Sequence, residues 1–193
     1  TGFAAPPAVV GASLGGLATL LGAGEAPEPS KVASAVVLVD ITPTVERAGV
    51  ERIVNFMRAR MDEGFATLDD AADYVASYLP DRPRPKSTAG LEKNLRRRDD
   101  GRWYWHWDPG FMTDVDVRME DRDPNRMRAA TRRLDMPALL VRGGKSDLVT
   151  PETAAEFVSL AQNARFVDVA AAGHMVAGDR NDVFIDAVTG FLG

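Results

Sequence analysis

The sequence predicts an α/β protein, with a parallel sheet flanked by helices and a mainly helical insertion between two sheet-forming segments. Three observations predict it. Short apolar runs alternate with helix-spaced segments at both ends of the chain, and such alternation builds parallel sheets. Val32 to Val39 (VASAVVLV) is apolar and rich in β-branched residues, the pattern of a strand buried on both faces. Between Thr42 and Asp135 that alternation gives way to a mostly helical block.

Each element has a local reason. Thr1 to Pro7 is a lead-in ending in Pro6-Pro7, and Ala8 to Val10 is a first strand. It stops at Gly11, and Ser13 to Ala23 follows with helical spacing. Gly24 to Lys31, with Pro27 and Pro29, is a loop before the Val32–Val39 strand. Asp40 sits at that strand's carboxyl end, and Thr42-Pro43 breaks it. Val45 to Glu63 repeats apolar residues at Val50, Ile53, Val54, Met57 and Met61, so it reads as a helix. Thr67 is placed as an N-cap with Asp69 and Asp70 in the first turn of a helix over Leu68–Leu79. Pro80, Pro83 and Pro85 make a linker, and Leu91 to Leu95 a helical turn. Asp100-Gly101 signals a hairpin whose second arm carries Trp103, Trp105 and Trp107 on one face, a packing face. Asp123-Pro124 caps a helix reaching about Leu134. Ala138 to Val141 is another buried strand, Thr150-Pro151-Glu152 opens a helix to Ala161, and Arg165 to Val169 is the last strand. Asp179 to Leu192 closes the chain as a helix, with Asp179 and Asp182 as first-turn charges.

The organisation that follows is a core of 1–41 and 136–193 with a helical cap over 42–135. Such an insertion leaves and re-enters after strands, where ligands sit in parallel sheets. At 193 residues, 45% of them hydrophobic, the chain can bury a core, and its net charge of −5 argues against a nucleic-acid partner. It has no cysteine, so disulfides, thiolate zinc sites and a cysteine nucleophile are excluded. Ala8 to Gly24 is uncharged, but it has no basic flank and is rich in glycine. It reads as strand, turn and helix rather than a membrane or signal segment. A cytoplasmic location and no membrane partner are the expectations.

Gly11-Ala12-Ser13-Leu14-Gly15 is a G-x-S-x-G pattern between a strand and a helix. A serine on so sharp a turn is held in a strained backbone with its hydroxyl presented outward. Glycine is expected at Gly11 and Gly15 because a Cβ would clash there. The Leu14 N–H would face an oxyanion on the attacked carbon. Asp147 and His174 fall in the loops after two later strands. A serine needs a base, which His174 can supply, and a histidine needs an acid on its other nitrogen, which Asp147 can supply. Asp40 also ends a strand, but Asp147 fits its loop pattern better, so Asp40 is read as a strand-end residue.

These motifs resemble the α/β-hydrolase superfamily. Gly11 to Gly16 matches its nucleophile elbow, Pro137 to Pro151 (PALLVRGGKSDLVTP) resembles its strand and acid loop, and Ala172-Gly173-His174-Met175 resembles its histidine loop. Gly101 to Phe111 is similar to cap segments of the epoxide hydrolase-like and non-haem peroxidase-like groups. The resemblance implies a Ser13-His174-Asp147 triad, Leu14 as an oxyanion donor, and no cofactor or metal. Relatives that open epoxides or remove halide carry aspartate at the elbow, so Ser13 implies hydrolysis of a small-molecule ester, thioester or lactone. Phe56, Met57, Trp105, His106 and Met175 are the candidate pocket residues, His106 as a packed or pocket-lining group. Perhydrolysis or C–C bond hydrolysis with the same triad is an alternative, as is a ligand-binding protein of truncated fold without turnover. The family's sheet has further strands before the elbow, and one of their loops supplies the second oxyanion N–H. The resemblance therefore implies that a preceding segment or a second chain covers the Ala8–Val10 edge, and a homo-oligomer stays open.

Overall fold

The computed structural model describes residues 4–80, 82–84, 86–113 and 123–193. Pro85 of the expected linker lies outside them. The chain forms two compact units, residues 1–50 with 123–193 and residues 51–122.

The first unit is a four-stranded parallel sheet in the order β1-β2-β5-β6, with β1 Ala8–Ala12, β2 Ala35–Val39, β5 Ala138–Gly143 and β6 Ala164–Val169. β1 runs two residues beyond the expected Val10, because its register with β2 continues through Gly11↔Leu38 and Ala12↔Val39. β2 starts three residues later than expected, because Pro29–Val32 forms a short helix, α2. Val36, Val37, Leu38 and Val39 are all buried, alternating between the two faces, which is why this strand lacks polar alternation. On one face Val37, Val39, Leu139, Val141 and Val169 form a cluster with Val183, Phe184, Ala187, Val188 and Phe191 of the last helix. Burying each of the fully enclosed Val and Leu side chains contributes roughly 1.5–3 kcal/mol, enough to outweigh the weak helix–strand preference of any one residue.

Helix α1 (Leu14–Gly24) crosses from β1 to β2, α7 (Pro151–Leu160) from β5 to β6, and α8 (Val176–Asp179) and α9 (Asn181–Leu192) follow β6. The expected closing helix starts two residues later, at Asn181, because Arg180 has a non-helical backbone (φ −141°, ψ 69°) that separates it from the short helix α8. Thr150 caps α7, its hydroxyl accepting the Thr153 N–H, with Pro151 at the first position. Helix α6 (Pro124–Arg132), capped by Asp123 as expected, packs on α1. A Cβ at Gly24 would lie 2.3 Å from the Ala130 carbonyl oxygen, and Arg126 pairs with Glu25 at 2.5 Å. That contact moves residues 123–135 out of the expected 42–135 insertion and into the sheet-bearing unit. Residues 42–50 join it too, with the Glu46 N–H donating to the Leu148 carbonyl at 3.0 Å.

The second unit contains most of α3 (Arg47–Arg58), then α4 (Leu68–Tyr78), a 3₁₀ turn over Ala89–Lys93, the hairpin β3 (Leu95–Arg97) and β4 (Trp103–Trp105), and α5 (Gly110–Thr113). α3 ends earlier than the expected Glu63, in turns where Arg60 has a φ of 64°. Thr67 and Asp70 form a reciprocal capping box on α4. The hairpin turns at Gly101 (φ 81°), where glycine relieves the left-handed backbone. Phe65, Ala71, Leu95 and Trp105 are the buried centre of this unit, with Trp103 and Trp107 against them. The tryptophan face is therefore a packing face.

Candidate active site

The elbow forms where β1 meets α1. Ser13 has φ 48° and ψ −120°, a conformation that costs a non-glycine residue energy and recurs at functional turns. The surroundings hold it there: its N–H donates to the Val39 carbonyl on β2 at 3.2 Å, and its carbonyl accepts the N–H groups of Gly16 and Leu17. The turn is tight at Gly11 and Gly16. A Cβ on Gly11 would meet the Gly15 carbonyl oxygen at 2.6 Å, and one on Gly16 would meet Ile41 Cγ2 at 2.3 Å. At Gly15, by contrast, a Cβ would meet nothing within 4 Å. The expected clash there is corrected: the second obligate glycine is Gly16, because it faces the sheet while Gly15 faces outward. Leu14 opens α1, where N–H groups have no intrahelical acceptor, and its side chain is exposed.

His174 lies in the loop after β6, its side chain 15% exposed. Its Nδ1 is 2.8 Å from Oδ2 of Asp40, which is fully buried at the end of β2. The acid that holds His174 is therefore Asp40, and the expectation that Asp147 does so is corrected. The backbone supplies the reason. Asp40 takes a left-handed conformation (φ 48°) just past β2, and its carboxylate is received by the loop after β5. Oδ1 accepts the Gly143 N–H at 2.9 Å, and Oδ2 accepts the Ser146 hydroxyl at 2.6 Å. In that loop it is Ser146 that meets the carboxylate. The half-buried Asp147 lies one residue on, where its carbonyl sits so close to Gly49 that a Cβ there would be 2.3 Å from the oxygen. Ser146 was not anticipated. The available signal was a hydroxyl beside Asp147 in a glycine-rich loop.

The histidine loop is clamped from two sides. The Gly144 N–H donates to the Val169 carbonyl and the Lys145 N–H to the Ala172 carbonyl, each at 2.9 Å. A Cβ on Gly143 would lie 2.1 Å from the Gly173 oxygen, so only glycine allows this approach. Asp179, read from the sequence as a helix charge, accepts the Gly173 N–H at 3.0 Å. Asp182 pairs with Arg180 at 3.1 Å, and that hydrogen bond holds its carboxyl below the usual aspartate range.

The elbow, Asp40 and His174 thus belong to the carboxyl ends of β1, β2 and β6 in one sheet. Met175, next to His174, is exposed. The other candidate pocket residues belong to the second unit. Phe56 stacks on Tyr78 with ring centroids 4.1 Å apart, and Trp105 is buried in contact with Phe56, Phe65 and Trp107. Met57 is half-buried on α3. His106 is exposed rather than packed, its N–H donating to the Asn94 carbonyl at 3.0 Å, because it points away from the face that carries the tryptophans. Among the described residues no cluster of His, Asp or Glu could hold a metal ion, and no helix is long and apolar enough to cross a membrane.

Known proteins place this arrangement. A family model described as the alpha/beta hydrolase family matches residues 1–187. Esterase Rv0045c of Mycobacterium tuberculosis is 30% identical over 202 residues, covering 95% of this chain and 60% of that protein. The 3-hydroxybutyrate-oligomer hydrolase of Cupriavidus necator is 29% identical over 176 residues, covering 85% of this chain and 57% of that protein. The chain thus spans less than two thirds of the length of these curated relatives. An alpha/beta hydrolase from Novosphingobium aromaticivorans superposes with a TM-score of 0.79 at 26% identity, covering 96% of this chain and 64% of the other. With a family model matched over residues 1–187 and a parallel sheet flanked by helices, this chain belongs to the alpha/beta hydrolases.

Proposed function

We propose that the site is that of a serine hydrolase acting on a small-molecule ester, thioester or lactone. The observation that carries this reading is the bond of 2.8 Å between His174 Nδ1 and the buried Asp40 carboxylate. It leaves Nε2 as the nitrogen for a proton from Ser13. Ser13 Oγ attacks the carbonyl carbon while its proton passes to His174 Nε2. The carbonyl π electrons move to oxygen, and the Leu14 N–H, at the start of α1, stabilises the negative charge. The tetrahedral intermediate collapses, the leaving group departs with the proton from His174, and an acyl-Ser13 remains. Water then attacks that acyl group as His174 takes its proton. The second intermediate collapses, the proton returns to Ser13, and the carboxylic acid is released. The names of two relatives, an esterase and an oligomer hydrolase, support hydrolysis as the reaction class. Exposed Leu14 and Met175 beside the reacting residues favour an apolar acyl group.

In the whole protein, the proposal includes a further segment or second chain along β1. This strand is outermost among the described residues, with Val10 48% exposed, and open strand edges are pairing sites.

The test is intact mass spectrometry before and after a fluorophosphonate probe, with turnover of an aryl ester measured in parallel. A single adduct that disappears in Ser13→Ala, together with loss of turnover, is the expected result. Undiminished labelling or turnover in Ser13→Ala would overturn the assignment.

A further inference from the structure

We infer that Ser146 is a positioning residue for the Asp40–His174 pair, its hydroxyl setting how tightly His174 holds a proton. The inference rests on the reading of His174 as the general base. Oδ2 of Asp40 is shared between two donors, the Ser146 hydroxyl at 2.6 Å and His174 Nδ1 at 2.8 Å. A serine hydroxyl has one proton and two lone pairs. Here the oxygen already accepts the N–H groups of Leu148 at 3.1 Å and Val149 at 3.2 Å. The direction of its own proton is therefore settled: it is donated to Asp40.

A turn-forming role for Ser146 would account for the two accepted bonds. It does not account for the donated one, which ends on the same carboxylate oxygen that faces the histidine. The carboxylate has no exposed surface, so in this structure its hydrogen bonds come from protein donors. The Ser146 hydroxyl draws negative charge from Oδ2 and keeps that oxygen turned toward the ring. Ser146 is itself anchored, its N–H donating to the Gly143 carbonyl at 2.9 Å, while the Gly143 N–H holds Oδ1. One short loop thus secures both oxygens of the acid.

Without the hydroxyl, Oδ2 carries more charge and binds the imidazolium more strongly, so His174 keeps its proton to higher pH. Among the described residues, the ionisable groups that bond to this site or flank its bonded residues include Asp40, Asp179 on the Gly173 N–H, and Lys145 and Asp147 on either side of Ser146. All four are unchanged in the variants, so their influence is common to every comparison.

The experiment compares the unsubstituted protein, Ser146→Ala and Ser146→Thr. It reads the pH profile of kcat/KM for an aryl ester and the low-field proton resonance of His174 Nδ1–H. In Ser146→Ala the acid limb is expected to move up by about one pH unit, with the proton resonance displaced downfield. Ser146→Thr, which keeps a hydroxyl, is expected to restore both. A Ser146→Ala variant that loses activity by the same factor at every pH, with the limb and resonance unmoved, would overturn the inference. So would failure of threonine to restore either readout. The resonance needs no turnover. If the unsubstituted protein does not hydrolyse the ester, the hydrolase reading falls while the resonance still decides whether Ser146 controls the pair.

Discussion

Replacing Asp40 by asparagine separates the two candidate acids with one atom changed. In the structure Oδ1 accepts the fixed Gly143 N–H at 2.9 Å, whereas Oδ2 accepts from Ser146 at 2.6 Å and His174 at 2.8 Å. An amide must place its NH2 on one side or the other. The backbone N–H of Gly143 cannot turn away, so the amide oxygen stays there and the NH2 faces His174. Nδ1 then becomes an acceptor, and the ring proton moves to Nε2, the nitrogen that has to take the proton of Ser13. An equivalent tautomer fault in a serine protease triad lowers kcat by about four orders of magnitude, which is about 5 kcal/mol of barrier. Asp147→Asn removes none of the hydrogen bonds to the Asp40 carboxylate and is expected to lower activity far less than Asp40→Asn. Aryl ester turnover of both variants, with thermal melts to confirm folding, measures the contrast. Collapse of Asp147→Asn, with Asp40→Asn near the unsubstituted rate, would refute the pairing.

Gly16→Ala is expected to lower stability by about 1–3 kcal/mol, because its Cβ meets Ile41 Cγ2 at 2.3 Å. Gly15→Ala, with nothing near its Cβ, is expected to be neutral or to gain up to about 1 kcal/mol in helix propensity. Equal thermal melts for the two variants would contradict the assignment of the second obligate glycine. Arg128 pairs with Glu156 at 2.6 Å between α6 and α7, both side chains about one third exposed. Burial pushes the Glu156 carboxyl up, but Arg128, Thr44 and Arg132 outweigh it and hold it below 4.5. A depressed carboxyl stabilises the fold above its unfolded pKa and loses that contribution as pH falls through its folded value. Arg128→Ala should therefore cost about 0.5–1 kcal/mol at neutral pH, and melts compared across pH should show the difference fading below pH 4.5.

The elements that could be read from the sequence were those whose signals are local. Val36 to Val39 announce a two-sided strand, Thr67 an N-cap with Asp69 and Asp70 in the first turn, and Gly11 to Gly16 a strand-to-helix turn. The acid was harder to read, because Asp40 and Asp147 both follow buried strands and carry the same group. What distinguishes them is the left-handed backbone at Asp40 and the donors Gly143 and Ser146, more than a hundred residues away in sequence. Likewise, neither Gly15 nor Gly16 shows in the sequence which of them faces Ile41. The insertion boundary was misplaced because α6 is an ordinary amphipathic helix until Gly24 is seen to make room for Ala130.

The pairing of β2 with β5 joins Val36 to Ala138, and the bond between Asp40 and His174 spans 134 residues of chain. By contrast, β1, α1 and β2 form a parallel crossover within Ala8 to Val39 that sets the strained serine beside its neighbouring strand. The shorter connection carries a smaller loop-closure cost than one spanning about a hundred residues or more. Under the proposed mechanism, the nucleophile Ser13 sits within the shorter connection, whereas its base His174 is joined to Asp40 across the longest one. On that proposal, a chain stalled before the β2–β5 join would lack the Asp40–His174 pair beside its serine turn. Recovery of enzymatic activity becomes a report on completion of the longest connection in the sheet rather than on formation of the elbow.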